Sequence, residues 1–581
     1  MQVTVAGEDA GKITQHISIS QMMYGHHSFE LRQSMDDRIG SFVDKLYAKT
    51  GEMLGKDVEI SFGEGNIFKG IITGLSIGRA AKGGSVLIVK GQSPTVALDD
   101  GANTLSYYEK SFQAIIDEAS KSYKGSFDKA PDYTKKLKYI VQHRESNFNF
   151  LVRMSARYGQ WFFYDGEKLY LGKKPSGGTT ELTFQRDVKS MDLSVRAVPV
   201  NFEVHSHDYK VGGKNDHIKK KPEYDVANKY AQIVQAKSQS DIFPETPKSV
   251  YNQYTSKEDL DHFVEVHQNA QISEMVFLSA FCTNENLKLG EAVKLVDKRE
   301  ELGGEDDYGE YIITSISHSF SLQGSDHYDY SNQFQAIPKE SKIPPMPTSV
   351  HPPASEVQMG IVTDVEDKVA MGRVRVKLNS MKGAEKTPLI RCASPYAGKK
   401  HGFYMIPEKG DQVLVAFENN NPERPYVLAS LHNAEDKPEH FHMENLKKAI
   451  KTKGGHEILM NDEKGKEKFS IHSPKDVTIN AEKGIMSMTA ASNITITSKD
   501  GNITITSPKT ITLNGKNIII NGKESIHLES PNISANAPTK YSVKSKEFSI
   551  QADIAGSIES KIINIEGTTG VNIKGGVVKL N

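Results

Sequence analysis

Cysteine, tryptophan, long apolar runs and net charge are all scarce in this sequence, and each scarcity excludes something. The 581 residues include 2 cysteines, Cys282 and Cys392, and 1 tryptophan. Thiols so far apart make neither a metal spacing nor a disulfide framework, so two free, buried thiols in a reducing compartment are expected. Lys and Arg total 72 against 73 Asp and Glu, and the net charge of −1 argues against bulk attraction to nucleic acid or anionic membrane. No run of ~18 apolar residues is present to span a bilayer. The start, Met1-Gln2-Val3-Thr4-Val5, has no basic segment ahead of an apolar stretch, so no signal peptide is expected. Such a protein needs another route to any extracellular target.

What the chain has in excess is a repeat. Apolar i, i+2 pairs recur about every eight residues, the signature of a β-solenoid. They run Phe469/Ile471, Val477/Ile479, Ile494/Ile496, Ile503/Ile505, Ile511/Leu513, Ile518/Ile520, Ile526/Leu528 and Ile533/Ala535. Tyr541/Val543, Phe548/Ile550, Ile563/Ile565, Val571/Ile573 and Val578/Leu580 continue the series. A polar residue between the two, such as Thr495, Thr504, Thr512 or His527, makes each pair a short strand with one buried face. Asp500-Gly501, Asn514-Gly515, Asn521-Gly522, Ser507-Pro508 and Ser530-Pro531 supply the turns.

The period bears on oligomeric state. A monomeric solenoid closes within one coil of roughly 18 residues or more, three walls of ~5–6 residues each. An eight-residue unit supplies one wall, and three chains would close a triangular prism with every edge paired. With strands ~4.7 Å apart, about fifteen repeats reach on the order of 100 Å or more. The expected needle core is Ile494, Ile496, Ile503, Ile505, Ile511, Leu513, Ile518, Ile520, Ile526 and Leu528. The plainer alternative is an ordinary sheet with a coincidental Ile-Thr-Ile bias.

Upstream the pattern is mixed but strand-rich. Val58–Phe62 and Phe68–Ile72 alternate as strands around Gly63 and Gly65, and Ser85–Val89 reads as another. Helical spacing appears at Phe112, Ile115, Ile116, Ala119 and Tyr123, and after Ser146 at Phe150, Leu151, Met154 and Tyr158, with Gly159 as the stop. A helix is predicted after Ser256, with Leu260, Phe263, Val264 and His267 on one face. Ile39, Phe42, Val43 and Leu46 suggest an inserted one. Ala292–Val296 and Tyr311–Ile316 are strands again. Pro338, Pro344, Pro345, Pro347, Pro352 and Pro353 mark a stiff linker. Short strands between Val357 and Asn433 suit a five-stranded barrel of the OB type. The expected domains are therefore 1–340, a linker at 341–355, the barrel at 356–433, a connector at 434–456 and the needle at 457–581. The fold is mainly β.

Motifs for chemistry are weak. Gly78 to Ser85 looks like a phosphate loop but lacks the required Lys and is flanked by strands, so a hairpin tip is expected. His26-His27, His205-Ser206-His207 and His440-Phe441-His442 could place imidazoles together. No acidic or Cys partner completes a set, so surface histidines are expected, with a metal at His440/His442 as the alternative. No Gly-x-Ser-x-Gly elbow is present. Asp36/Asp37 and Asp306/Asp307 read as solvated turns. Phe403, Tyr404, Phe417 and Tyr426 are expected in the core and at trimer contacts. No catalytic, cofactor or metal residue is predicted.

Tyr139 to Arg153, then Tyr158 to Tyr164, resemble the signature of the VgrG family, the spike proteins of type VI secretion systems. The resemblance continues at Leu289-Gly290-Glu291, Ser315 to His318 and Tyr330 to Phe334. In the barrel it covers Gly372 to Val376, Ile406 to Phe417 and Asn421 to Leu428. It implies a homotrimer like a phage tail hub fused to its puncturing spike. The hub would dock on a hexameric Hcp-type tube, and effectors and adaptor proteins would ride non-covalently. A PAAR-type protein would cap the tip at Val577, Val578, Lys579, Leu580 and Asn581. Such a spike is cytoplasmic before firing, then secreted through a target membrane. A phage tail or extracellular contractile particle could use an equivalent spike. An enzyme of the trimeric tailspike kind, degrading glycan, is the alternative from another class.

Overall fold

Alternating side chains give the first hub strands one buried face. Ile17 and Ile19 of Thr14–Met22 point into the core, as do Phe29 and Leu31 of Ser28–Met35. The computed structural model describes residues 1–35, 41–79, 84–207, 209–210, 217–220, 226–245, 247–250, 257–299, 304–323, 327–347, 351–382 and 385–580. The chain divides into two units, Met1–Pro474 and Lys475–Asn581.

A curled thirteen-stranded sheet organises the hub. Its spine is the long strand Gly304–Gln323. This strand pairs antiparallel with His327–Pro338, with Ala292–Arg299 and with Thr14–Met22, so the two ends of the hub are zipped together. One core gathers Ile17, Ile60, Phe68, Phe112 and Phe150, and a second gathers Trp161, Leu278, Val293 and Phe334. The expected hairpin is present, with Ile60 opposite Phe68 and both Gly63 and Gly65 at positive φ.

Helix α1 is Phe42–Met53, and Ile39 lies outside the described residues. Helix α2, Phe112–Ala119, begins at Ser111, whose Oγ accepts from Ala114 N. Helix α3, Asn147–Arg157, begins at Ser146, whose Oγ accepts from Asn149 N at 3.1 Å, a cap that satisfies an orphan donor. Gly159 follows at φ +67°. Helix α4, Lys229–Lys237, was not expected. It buries only Ala231 and so carries little apolar signal, but Asn228 caps it. Helix α5, Lys257–Ser273, carries the predicted Leu260 and Val264 in a small core, while Ser256 lies outside the described residues.

The OB-type barrel is built from a four-stranded sheet in the order Arg375–Leu378, Gln358–Asp364, Gln412–Phe417, Pro425–Leu431. Residues 390–393 close it: Ile390 exchanges backbone bonds with Val374, Val427 N donates to Arg391 O, and Ala393 N donates to Val427 O. The Pro-rich stretch does not isolate this barrel. Ile343 packs on Val266 and Ala270 of α5, and Ser355 N donates to Asn420 O at 2.7 Å. Tyr139 and Val141, from the hub strand Lys136–Glu145, enter the barrel's own core. Hub and barrel thus share buried surface, a long-range contact that linker composition cannot reveal.

Beyond the barrel, Lys447–Lys451, Glu457–Asn461 and Lys468–His472 pair as an antiparallel meander, with Ile450 opposite Ile458 and Ile458 opposite Ile471. The boundary expected at 456/457 falls inside this meander. The compact unit ends later, at Pro474.

Candidate assembly surface

The extended unit presents the predicted ladder undocked. All ten expected core positions, from Ile494 to Leu528, are between 51 % and 69 % exposed on the single chain. In each of these pairs the first residue is the deeper one. Among residues 477–580 no strand is paired and no backbone amide donates to a backbone carbonyl. Extended backbone with no partner and a continuous apolar stripe both call for other chains.

Local bonds fix the corners instead. Ser530 Oγ accepts from Asn532 N at 3.3 Å and donates to Asn532 O at 2.9 Å, and Ser560 does the same with Ile562. Ser507 Oγ accepts from Lys509 N. The bends these serines set are evenly spaced. Bends at Pro474–Lys475, Ala491–Ser492 and Pro508–Lys509 lie 17 residues apart. From Pro508 the same series continues at Lys523, Pro538, Asp553 and Thr568, 15 apart. A second series at Lys516, Pro531, Lys546, Lys561 and Gly576 interleaves with it, also 15 apart. The distal repeat is therefore a pair of unequal strands of eight and seven residues, finer than the single period read from the sequence.

Val577, Val578 and Leu580 are exposed beside Lys579, and Asn581 lies outside the described residues. The barrel adds apolar surface that sequence reasoning missed. Met359 and Ile361 alternate outward from the buried Val362 and Gly360. A strand with two apolar faces was the available signal. Phe403 and Tyr404, expected in the core or at trimer contacts, are exposed on this single chain, whereas Phe417 is buried.

The histidines fall into separate settings. His26 lies 2.8 Å from Asp99 and stacks on Phe148, and His27 is buried with Nε2 at 3.1 Å from Met22 O. His318 reaches Gln21 Oε1 at 3.1 Å and the Tyr330 hydroxyl at 2.7 Å, while Gln21 Nε2 approaches His27 Nδ1. Burial pulls both His27 and His318 down to about 3, so this internal chain of polar groups is neutral. His205 pairs with Glu203, and His440 sits 2.9 Å from Glu457. Among the described residues no three His, Cys, Asp or Glu side chains converge on one point. Arg79 and Ser85 pair across the glycine-rich run, so strands flank it as expected, and residues 80–83 lie outside the described residues. Asp36 and Asp37 also lie outside them, and Asp307 accepts from Gly309 N and pairs with Lys294. Burial raises both thiols, Cys282 and Cys392. No helix among the described residues is long and apolar enough to cross a membrane.

Comparison with known proteins follows the same divisions. Residues 37–324 match the phage tail baseplate hub family (GPD), and residues 358–432 match the type VI secretion system/phage-baseplate injector OB domain. Residues 452–552 match an uncharacterised family conserved in bacteria. The type VI secretion system spike protein VgrG1b of Pseudomonas aeruginosa is 25 % identical over 202 residues, 31 % of this chain and 27 % of that protein. The actin cross-linking toxin VgrG1 of Vibrio cholerae is 27 % identical over 190 residues, 29 % of this chain and 17 % of that protein. The chain thus matches only about a quarter or less of these relatives' length. An Escherichia coli protein, c3393, described as a type VI secretion component resembling T4 bacteriophage tail proteins gp27 and gp5, superposes with a TM-score of 0.50 at 15 % identity. That match covers 74 % of this chain and all of the other. The lidded Francisella PdpA–VgrG complex gives a TM-score of 0.51 at 9 % identity, covering 81 % and 80 %. With hub, injector barrel and spike repeats in one order along one polypeptide, the chain belongs to the VgrG family of hub-and-spike proteins.

Proposed function

We propose that three copies of this chain form the spike of a type VI secretion apparatus. The observation that carries the reading is the extended unit, whose apolar ladder is undocked and whose backbone groups meet only serine hydroxyls at the corners of their own chain. A two-walled monomeric coil would set each residue against the one fifteen further on and bury the ladder. Three equivalent strands per layer do so without intrachain pairing, and let layers of eight and seven residues alternate along the axis. Each Ile or Leu buried this way contributes roughly 1.5–3 kcal/mol.

The hub then docks on an Hcp-type tube, the spike crosses the target membrane transiently, and effectors travel by non-covalent contact, with adaptor proteins where needed. Membership of the spike family supports this. No nucleic acid, cofactor or catalytic step enters the reading. The spike of a phage tail or extracellular contractile particle is a second reading, favoured by the hub match to phage baseplates, and the neighbouring genes separate the two. Exposed Val577, Val578, Lys579 and Leu580, continuing to Asn581, would receive a PAAR-type cap on their open strand edges.

Light scattering on the full chain tests the assembly. The expected mass is about 193 kDa, three times the 64.4 kDa chain, and a stable monomer at micromolar concentration contradicts it. Deleting residues 577–581 should leave that mass essentially intact and abolish capture by the cap protein. Undiminished capture would place the docking surface elsewhere.

A further inference from the structure

The hub and the collar barrel meet at buried charge. Arg153 and Arg157 lie one turn apart on α3, and Glu423 comes from the collar turn just before Pro425–Leu431. Arg157 Nη1 donates to both Glu423 oxygens, at 3.0 and 2.7 Å, and Arg153 Nη1 lies 3.9 Å from the same carboxylate. Arg153 is itself held by Glu145, donating through Nε at 3.1 Å and Nη2 at 2.6 Å, and by Val141 O at 2.8 Å. The side chains of Arg153, Arg157 and Glu423 are 8 %, 13 % and 6 % exposed. These two arginines and two glutamates sum to zero charge, and Glu423 supplies one of the two negative charges.

The collar turn is as firmly set as the helix. Asn421 Oδ1 accepts from Glu423 N at 3.0 Å, and Asn421 N donates to Glu418 O. A second hub–barrel bond runs from Ser106 N, opposite Val141, to Glu385 at 2.9 Å. An apolar contact tolerates sliding, because one CH₂ replaces another. A buried ion pair does not: displacement leaves charges desolvated and uncompensated. Arg157 Nη1 is bracketed by both carboxylate oxygens, which narrows the positions it can take.

We propose that Glu423 is a latch that fixes the collar on the hub, so that thrust entering the hub passes through α3 into the collar rather than along the Pro-rich stretch. The source of the thrust rests on the spike reading; the latch belongs to each chain and is tested apart from it.

The experiment inserts a protease recognition sequence after His351, an exposed position, in the full-length protein. After cleavage, the hub fragment and the collar–spike fragment should co-elute on gel filtration. With Glu423→Gln the hub should be released, at least a tenfold loss of co-elution, and the uncut variant should melt in two calorimetric transitions where the wild type melts in one. Arg157→Lys, which keeps the charge but draws it back from Glu423 on a shorter side chain, should release an intermediate fraction and serves if Glu423→Gln does not fold. Fragments that separate with the latch intact, or that stay together equally in both variants, overturn the proposal. The mass of the uncut protein reports the trimer separately, so loss of the trimer and loss of the latch are distinguishable.

Discussion

Ile19 of the hub and Ile505 of the extended unit are the same side chain in the same alternating context, yet one is 1 % exposed and the other 67 %. Ile19 sits on a strand whose neighbours, Ser28–Met35 and Gly304–Gln323, come from its own chain. Ile505 has no such neighbours. The hub completes its sheets by contacts between residues some 300 positions apart, whereas the extended unit repeats one local pattern and leaves its faces open. The two regions thus use one strand chemistry, closed within the chain in the first and, on the proposed reading, between chains in the second.

That contrast is broken most sharply at Ile505. Ile505→Asp should cost on the order of 3–5 kcal/mol per chain, because three carboxylates would meet in the prism without partners, and the trimer should dissociate at micromolar concentration. Thr504→Asp, one residue away, should change the melting temperature little. Sedimentation of the two variants decides it, and equal effects would mean the inward and outward faces are misassigned.

A smaller effect is expected from shortening the spike by its own unit. Deleting 518–532 removes one eight-residue and one seven-residue strand and restores the alternation, so the trimer should persist with a melting point lowered by about 2–4 °C. Deleting 518–525 places two seven-residue strands in succession and should cost more. If both deletions melt alike, the fifteen-residue unit has no structural meaning.

The hub should respond to acid where the spike does not. His27 and His318 fall from an ordinary 6.5 to about 3 on burial. Between those values the unfolded chain binds more protons than the folded one, so their contribution is complete above pH 6.5 and is lost as pH falls toward 3. At pH 4 the loss is about 3 kcal/mol for each. Denaturant titration of the full protein across this window, probed by the fluorescence of hub residue Trp161, should show it. His318→Gln should flatten the slope, and a pH-independent hub would remove these histidines from the account.

The extended repeat was legible because its signal is local: two apolar residues, one polar, a turn, repeated. Two helices were legible for the same reason, from the apolar spacing that begins at Phe112 and from the one that follows Ser146. What could not be read was closure over distance. Nothing in Tyr139 and Val141 announces that they complete the barrel's core, and prolines that read as a spacer are docked through Ile343 and Ser355. The latch escaped likewise. Arg157 and Glu423 lie 266 residues apart, and only the fold brings them to 2.7 Å. The meander at Lys447–His472 shares the needle's composition but folds back on itself, a choice that pairs at i, i+2 cannot decide.

Amide hydrogen exchange on the assembled protein tests the central claim most directly. Apart from Gly501 and Lys509, whose amides donate to the Ser498 and Ser507 hydroxyls, amides of residues 494–528 have no acceptor in their own chain, so protection at the others must come from other copies. The account predicts alternating amides in this segment that exchange as slowly as those of Thr14–Met22. Exchange at free-peptide rates throughout 494–528, with the hub protected in the same sample, would contradict closure between chains.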